Sequence, residues 1–169
     1  VYAADEAARP EDVPFQRTVR QQVRVIADMG QMVYAAGDLV AVDQEYQVAW
    51  RSTDDAFGAT VAAVQYQAVS QVSAATAEQL RAAGGDYPEW VLIRYLALPE
   101  QVPERVRALA RELTATGRTP YDRALAIESY LRTFPYSLDV PAPPPDREIA
   151  DYFLFDLQEG YCDYYATAM

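Results

Sequence analysis

The segment that does most to decide the fold class has the sequence GYCDYYATAM at residues 160–169. Its pattern predicts a turn at Gly160 and then a helix that begins near Cys162. A nucleophilic cysteine must ionise, and the first turn of a helix helps because its amide hydrogens place partial positive charge beside the sulfur. The same amides can later stabilise an oxyanion. We expect Gly160 to allow the tight backbone turn that leads into this helix. Ala166 and Met169 are expected to share with Cys162 one face of the helix, which packs into the core.

A structural role for the same cysteine has to be weighed against this one. A buried cysteine at the start of a helix is common and behaves as a small hydrophobic residue. Three acidic residues that lie near Cys162 in sequence, Asp156, Glu159 and Asp163, would disfavour the thiolate if they were also close in space. Spacing alone therefore leaves both roles open.

The composition restricts the chemistry that these residues can perform. The net charge of −11 repels phosphate backbones, so nucleic acid is not expected as a partner. One cysteine allows no intramolecular disulfide, and the absence of histidine means that no Cys-His dyad, Ser-His-Asp triad or histidine-ligated zinc site can be completed within the 169 residues. We assign no cofactor and no metal site. No apolar run approaches the roughly 20 residues needed to span a bilayer.

The N-terminal part of the chain is predicted to be a β subdomain. Residues 1–14 are acidic and rich in alanine, which predicts a flexible leader. Across residues 15–73, apolar and polar residues alternate as in half-buried antiparallel strands. The pattern predicts strands at residues 15–27, 32–35, 39–42, 46–51, 57–64 and 66–72, with a turn at 52–55.

Residues 74–169 change to a helical period. Thr76 is expected to cap a helix at 77–83, and Pro103 and Pro120 to begin two longer helices. Asp146 is expected to cap a short helical turn. Residues 88–99 are interpreted as a connector, and the proline-rich residues 141–145 as a stiff linker.

Five motifs precede the cysteine in a fixed order: YLALP at 95–99, TPYDRA at 119–124, IESYL at 127–131, FPYS at 134–137 and FLF at 153–155. With Gly160, Tyr161, Cys162 and Ala166, this set resembles the nucleophile segment of the transglutaminase-like superfamily. It is most similar to the extracytoplasmic domain of bacterial membrane-anchored members. The resemblance runs from about residue 76 to residue 169.

The residue patterns predict an α+β fold, with the antiparallel β subdomain followed by a mainly helical region. The resemblance implies that this region is the helical half of a papain- or transglutaminase-like core. It also implies a Cys-His-Asp triad and a thioester intermediate, formed on glutamine-type amides or peptide bonds of a protein or peptide substrate. Of the three residues in the family's triad, only the cysteine has a counterpart in this chain, at Cys162. The histidine and aspartate are expected beyond residue 169, and the chain, which has no initiator methionine, is interpreted as an inactive excised piece.

The resemblance further implies a location on the extracytoplasmic face of the bacterial cell membrane, with membrane contact only through segments outside this chain. Exposed helix faces are expected to cause self-association. The alternative hypothesis is a non-catalytic extracytoplasmic binding module for a cell-envelope peptide or partner protein, in which Cys162 is only packed.

Five other residues have both a functional and a structural interpretation. Trp50 and Trp90 could line a substrate groove, although packing is favoured. Asp122 is best explained as a helix cap. Arg94 and Arg123 could bind a carboxylate, but ion pairs are the default in an acidic protein.

Overall fold

The computed structural model describes residues 1–11, 13–27, 30–52 and 55–169. The chain forms two compact units, Val1–Thr76 and Ala77–Met169. Strands make up the first unit and helices the second, so the predicted α+β class is confirmed.

The described residues of the first unit form two antiparallel sheets. One has the strand order β1-β5-β2, with β1 at Gln16–Arg24, β5 at Gln65–Ser73 and β2 at Asp38–Val42. The other pairs β3 (Tyr46–Ser52) with β4 (Asp55–Val61). Side chains of β1 alternate between half-buried and exposed, as its sequence predicts.

Two of the expected β features differ from the structure or fall outside it. The strand expected at 32–35 is only an isolated bridge between Met32 and Thr60. It stops there because the amide of Tyr34 donates to the hydroxyl of Tyr66 at 2.6 Å instead of continuing the ladder. In the turn expected at 52–55, Thr53 and Asp54 lie outside the described residues.

Two buried tyrosines, Tyr46 and Tyr66, dominate the core of the first unit, together with Val42, Val61 and Ala68. The hydroxyl of Tyr46 donates to the carbonyl of Glu6 at 2.6 Å, and burial raises the pKa of this phenol to about 12. Residues of the expected leader make backbone hydrogen bonds along the sheet: the amides of Asp5 and Ala8 donate to Val42 and Val40, each at 2.8 Å.

The second unit is built from short helices around a core of Leu131, Ala150, Phe153, Leu154 and Tyr164. The helices are α1 (Ala77–Ala82), α2 (Glu89–Tyr95), α3 (Glu104–Thr114), α4 (Pro120–Leu131), α5 (Ile149–Tyr152) and α6 (Cys162–Ala168), with a π-helical turn at Phe153–Leu157. No helix in the described part of the chain has the length and apolar character needed to cross a bilayer.

The interpretation of residues 88–99 as a connector is wrong, because α2 occupies most of them. Pro88 precedes the helix with an extended backbone, and Glu89 and Arg94 complement the helix dipole at its two ends. The expected cap of α5 also moves from Asp146 to Glu148, whose carboxylate accepts hydrogen bonds from the amides of Ala150 and Asp151.

The cap of α4 is confirmed. Thr119 accepts a hydrogen bond from the amide of Asp122 at 3.1 Å, and its hydroxyl donates to the Asp122 carboxylate at 2.8 Å. Asp122 also pairs with Arg81 at 2.7 Å, which ties α1 to α4.

Candidate active site

Cys162 is the first residue of α6, and its side chain is exposed. The predicted start of the helix is therefore confirmed, and the alternative of a buried, packed cysteine is not what the structure shows. Tyr161 precedes it with an extended backbone, at φ −121° and ψ −176°. The Sγ atom lies 3.4 Å from Oδ1 of the neighbouring Asp163.

The turn before the cysteine is held by hydrogen bonds from a distant segment. The carbonyl of Gly160 accepts from the amide of Ser137 at 2.8 Å, and the amide of Gly160 donates to the carbonyl of Pro135 at 3.2 Å. The two segments form an isolated parallel bridge between Tyr136 and Gly160. Residues 135–137 therefore fix the backbone two residues before the candidate nucleophile.

Gly160 is explained by packing and not by a tight backbone turn. A Cβ atom at this position would lie 3.0 Å from Cδ2 and 3.2 Å from Cβ of Tyr164. Tyr164 is 4% exposed and contacts Phe153 in the core, so it has little room to move. The ring of Tyr164 thus occupies the space that any larger residue at position 160 would need.

The face by which α6 packs differs from the expected one. Ala166 and Met169, which were expected to pack into the core together with Cys162, are exposed. The buried face carries Tyr161, Tyr164, Tyr165 and Ala168 instead. Three aromatic rings remove far more apolar surface from water than a cysteine, an alanine and a methionine, and the helix rotates accordingly.

Tyr165 makes the most specific contact on this buried face. Its hydroxyl lies 2.8 Å from the carbonyl of Phe134 and 2.9 Å from that of Pro135. Its ring packs edge-on against Phe153 and stacks with Tyr136. Burial raises the pKa of the Tyr165 phenol.

A network of two arginines and two aspartates surrounds the segment that leads to Gly160. Arg105 of α3 donates to both oxygens of Asp151, and Arg147 donates to Asp151 at 2.8 Å and to Asp156 at 2.5 Å. The Arg105 guanidinium also lies 4.4 Å from the centre of the Phe155 ring. Asp156 therefore forms ion pairs with Arg105 and Arg147.

The remaining candidates have structural surroundings. Trp90 packs edge-on against Tyr95, Arg123 donates to the carbonyl of Gly117 at 3.2 Å, and Trp50 faces Arg9. In the described part of the chain, no three of the side chains that usually ligate metals lie together. The second unit also contains an apolar cavity of about 360 Å³, with Val106, Tyr130 and Met169 among its lining residues.

Residues 107–169 match the family model of the transglutaminase-like superfamily. The match includes α6 with Cys162, and it confirms the resemblance for the four motifs that lie between residues 119 and 155. The motif at 95–99 lies outside the matched residues. Residues 107–169 are thus similar in sequence to the transglutaminase-like superfamily.

Two curated proteins are similar to part of this chain. It is 42% identical over 79 residues to the uncharacterized protein YebA of Bacillus subtilis, and 34% identical over 76 residues to a protein-glutamine gamma-glutamyltransferase of Pseudomonas aeruginosa. Each alignment covers 45% of this chain and 11% of the relative. The chain thus corresponds to a small share of each relative's length.

Two solved structures are also similar. Both are crystal structures of the periplasmic domain of TgpA from Pseudomonas aeruginosa, one of them bound to ethylmercury. The ethylmercury-bound structure has a TM-score of 0.49 at 22% identity, over 91% of this chain and 52% of that one. The second has a TM-score of 0.47 at 22% identity, over 88% and 56% of the two chains.

Proposed function

We propose that Cys162 is the nucleophile of a transglutaminase-like enzyme that transfers acyl groups from glutamine-type amides or peptide bonds. The observation that carries the proposal is its position, exposed at the first residue of α6 within a segment that matches the transglutaminase-like family model. The relative named protein-glutamine gamma-glutamyltransferase supports the reaction class.

The proposed reaction has two steps. The Cys162 thiolate attacks the carbonyl carbon of the amide, a C–S bond forms, and the C–N bond breaks as ammonia or an amine leaves with a proton. Water or a primary amine then attacks the thioester, the C–S bond breaks, and the sulfur regains its proton. The amides of Cys162 and Asp163 lie at the start of α6, ahead of the first amide that bonds back to Tyr161, so they are placed to donate to the oxyanion.

The proton acceptor has to come from outside the 169 residues, because they contain no histidine. We place a histidine, oriented by an aspartate, in polypeptide beyond residue 169. On this proposal the 169-residue chain has no turnover by itself. Its substrate is a protein or peptide, and it acts at the extracytoplasmic face of the bacterial cell membrane.

The proposal is tested by comparing the 169-residue chain with a polypeptide that continues past residue 169. Each polypeptide is incubated with the dipeptide benzyloxycarbonyl-Gln-Gly and a fluorescent primary amine. Only the longer polypeptide should release ammonia and form either the fluorescent amide or the hydrolysed acid. Cys162→Ala should abolish the reaction while the far-UV circular dichroism stays unchanged. Asp146→Asn, at an exposed position, serves as the matched control with full activity.

A second measurement addresses the thiol itself. In the longer polypeptide, the rate of Cys162 alkylation by iodoacetamide should show a second ionisation, that of the histidine, besides that of the thiol. Turnover that survives Cys162→Ala, or an alkylation profile that stays that of an ordinary thiol, would refute the proposal.

A further inference from the structure

The segment of residues 135–137 runs alongside the turn before the candidate nucleophile, and the fold uses one of its two edges. Its inner edge is the parallel bridge to Gly160, in which the amide of Ser137 donates to the carbonyl of Gly160 and the carbonyl of Pro135 accepts from its amide. The hydroxyl of Tyr165 lies 2.9 Å from the same Pro135 carbonyl. The segment is therefore held in place from one side only.

The outer edge of this segment is open. In a parallel pair, the residue at the centre of the bridge directs its own amide and carbonyl away from the partner strand. That residue is Tyr136, and within residues 77–169, all of which the structure describes, neither group has a hydrogen-bond partner. Tyr136 is also 64% exposed. One backbone donor and one backbone acceptor thus point outwards, side by side.

This open edge lies close to Cys162. Neighbouring strands are about 4.8 Å apart, and the two residues from Gly160 to Cys162 span at most about 7 Å, so the Cα atom of Tyr136 lies within roughly 12 Å of that of the cysteine. The Tyr136 ring stacks on Tyr165, with 6.3 Å between the ring centres. Tyr165 follows Cys162 by three residues, the spacing of neighbours on a helix. Tyr136 therefore lies beside the helical turn that carries the thiol.

A donor and an acceptor on one residue match the backbone of an extended peptide, because opposite residues in antiparallel strands exchange both of their N–H···O bonds. Successive residues of such a peptide advance about 3.3 Å, so a peptide that pairs with Tyr136 passes Cys162 within a few residues. A glutamine near the paired residue can then present its side-chain amide to the sulfur. A helical segment cannot pair in this way, because its own amides and carbonyls are bonded internally.

We propose that the backbone of Tyr136 binds the segment of the protein substrate that flanks the acyl-donor glutamine, in an extended conformation. The proposal rests on the acyl transfer proposed for Cys162, and it adds the substrate class, a glutamine in an extended segment of a protein. Main-chain hydrogen bonds supply the affinity in strand addition of this kind. Because Gly160 and Tyr165 already hold the inner edge, little order has to be imposed on the enzyme when the peptide binds.

The first test uses the polypeptide that continues past residue 169 and the capped peptide acetyl-Thr-Val-Gln-Val-Thr-amide, with ammonia release as the readout. A single N-methyl group is moved from residue to residue of the peptide. At the residue that pairs with Tyr136, it should lower kcat/KM about tenfold or more, mainly through KM, because one hydrogen bond is lost and close approach is blocked. The residues directly before and after should tolerate it within about threefold, since their N–H groups point the other way.

Two variants assign this effect to Tyr136. Tyr136→Ala removes the ring and keeps the backbone, whereas Tyr136→Pro also removes the amide donor, which the fold itself does not use. The KM for the pentapeptide should be about fivefold or more higher in the proline variant than in the alanine variant. Alkylation of Cys162 by iodoacetamide, which is too small to pair with this edge, should proceed at the same rate in both, and their unfolding temperatures should agree.

Three results would overturn the proposal while leaving the acyl transfer in place. One is Cys162-dependent ammonia release whose kcat/KM falls at no N-methyl position. Another is an equal KM for the pentapeptide in the two folded variants. The third is a kcat/KM for free glutamine that equals that for the pentapeptide, which would assign the site to a small amide. Absence of any Cys162-dependent turnover would instead refute the acyl transfer itself, and this inference with it.

Discussion

Arg105 and Asp151 form a two-pronged ion pair that joins α3 to α5, with Nη2 of the arginine 2.6 Å from Oδ2 of the aspartate. Asp151 is only 4% exposed, so its charge depends on these hydrogen bonds and on a further one from Arg147. The pair lies next to the π-helical turn that leads to Gly160. Its removal is therefore expected to affect both stability and the position of Cys162.

Asp151→Asn should destabilise the second unit by on the order of 2 kcal/mol, because it weakens charge-assisted hydrogen bonds to two arginines in a buried setting. The measurement is urea unfolding followed by circular dichroism. Asp146→Asn, which changes the same charge at an exposed position, should stay within about 0.5 kcal/mol of the parent. Equal effects of the two variants would show that the network does not stabilise the fold.

Acid should act through the same carboxylate. The Arg105 hydrogen bonds, then those of Arg147, lower the pKa of Asp151 to about 2, against about 3.9 in an unfolded chain. A lowered pKa means that the stability is present above about pH 4 and is lost as the pH falls towards 2. The stability difference between parent and Asp151→Asn should shrink over this interval in urea titrations at pH 5, 4, 3 and 2. A stability difference that stays constant from pH 5 to pH 2 would contradict a role for the ionised Asp151 carboxylate.

Tyr165→Phe removes the hydroxyl that lies between the carbonyls of Phe134 and Pro135. We expect a loss of about 1 kcal/mol in unfolding free energy, since the ring packing is kept and one hydrogen bond is lost. Tyr136→Phe is the control, because its ring is 64% exposed. Hydrogen exchange of the Gly160 amide should become faster in the first variant than in the second.

Gly160→Ala tests the packing explanation of this glycine. The added methyl group would lie 3.0 Å from the Tyr164 ring, which is buried, so we expect a loss of about 1–3 kcal/mol. Gly85→Ala, with open space and no positive φ, should be neutral or slightly stabilising. A neutral Gly160→Ala variant would mean that Tyr164 can move aside.

Self-association is the prediction for the apolar surface of the second unit. Leu92, Ile93 and Leu98 are 46%, 69% and 67% exposed, and exposed apolar side chains favour association when they lie close together. Sedimentation velocity at rising concentration should show dimers or larger species that Ile93→Glu reduces. Glu replacement of Val64, 73% exposed in the first unit, should leave them unchanged. A concentration-independent monomer would contradict the prediction.

Local patterns were sufficient for much of this fold. Alternation located β1, and Pro120 with Asp122 located the start of α4, because both signals depend on neighbours in sequence. The start of α6 at Cys162 followed from the glycine and the helical residues after it. These features are set by short-range sterics and hydrogen bonds that the sequence shows directly.

The features that sequence did not reveal depend on distant residues. Nothing near Gly160 indicates that Pro135 and Ser137 bind its backbone, and nothing near Arg105 indicates Asp151. The orientation of α6 depends on which side chains gain most from burial: Tyr161, Tyr164 and Tyr165 face the core, and the spacing of Cys162, Ala166 and Met169 does not show this. The helix α2 was missed because Pro88 and Pro99 frame a stretch that resembles a connector, although proline is compatible with the residue before a helix.

The hydrogen bonds between Gly160 and the 135–137 segment close a loop that includes the proline-rich residues 141–145. Closing a loop costs conformational entropy, and prolines lower that cost because they restrict the chain before it folds. The prolines thus help to hold the backbone before Cys162 in place by lowering the entropy that the unfolded chain loses when this loop closes. A sequence with glycines in their place could preserve every native contact and still hold Cys162 less firmly.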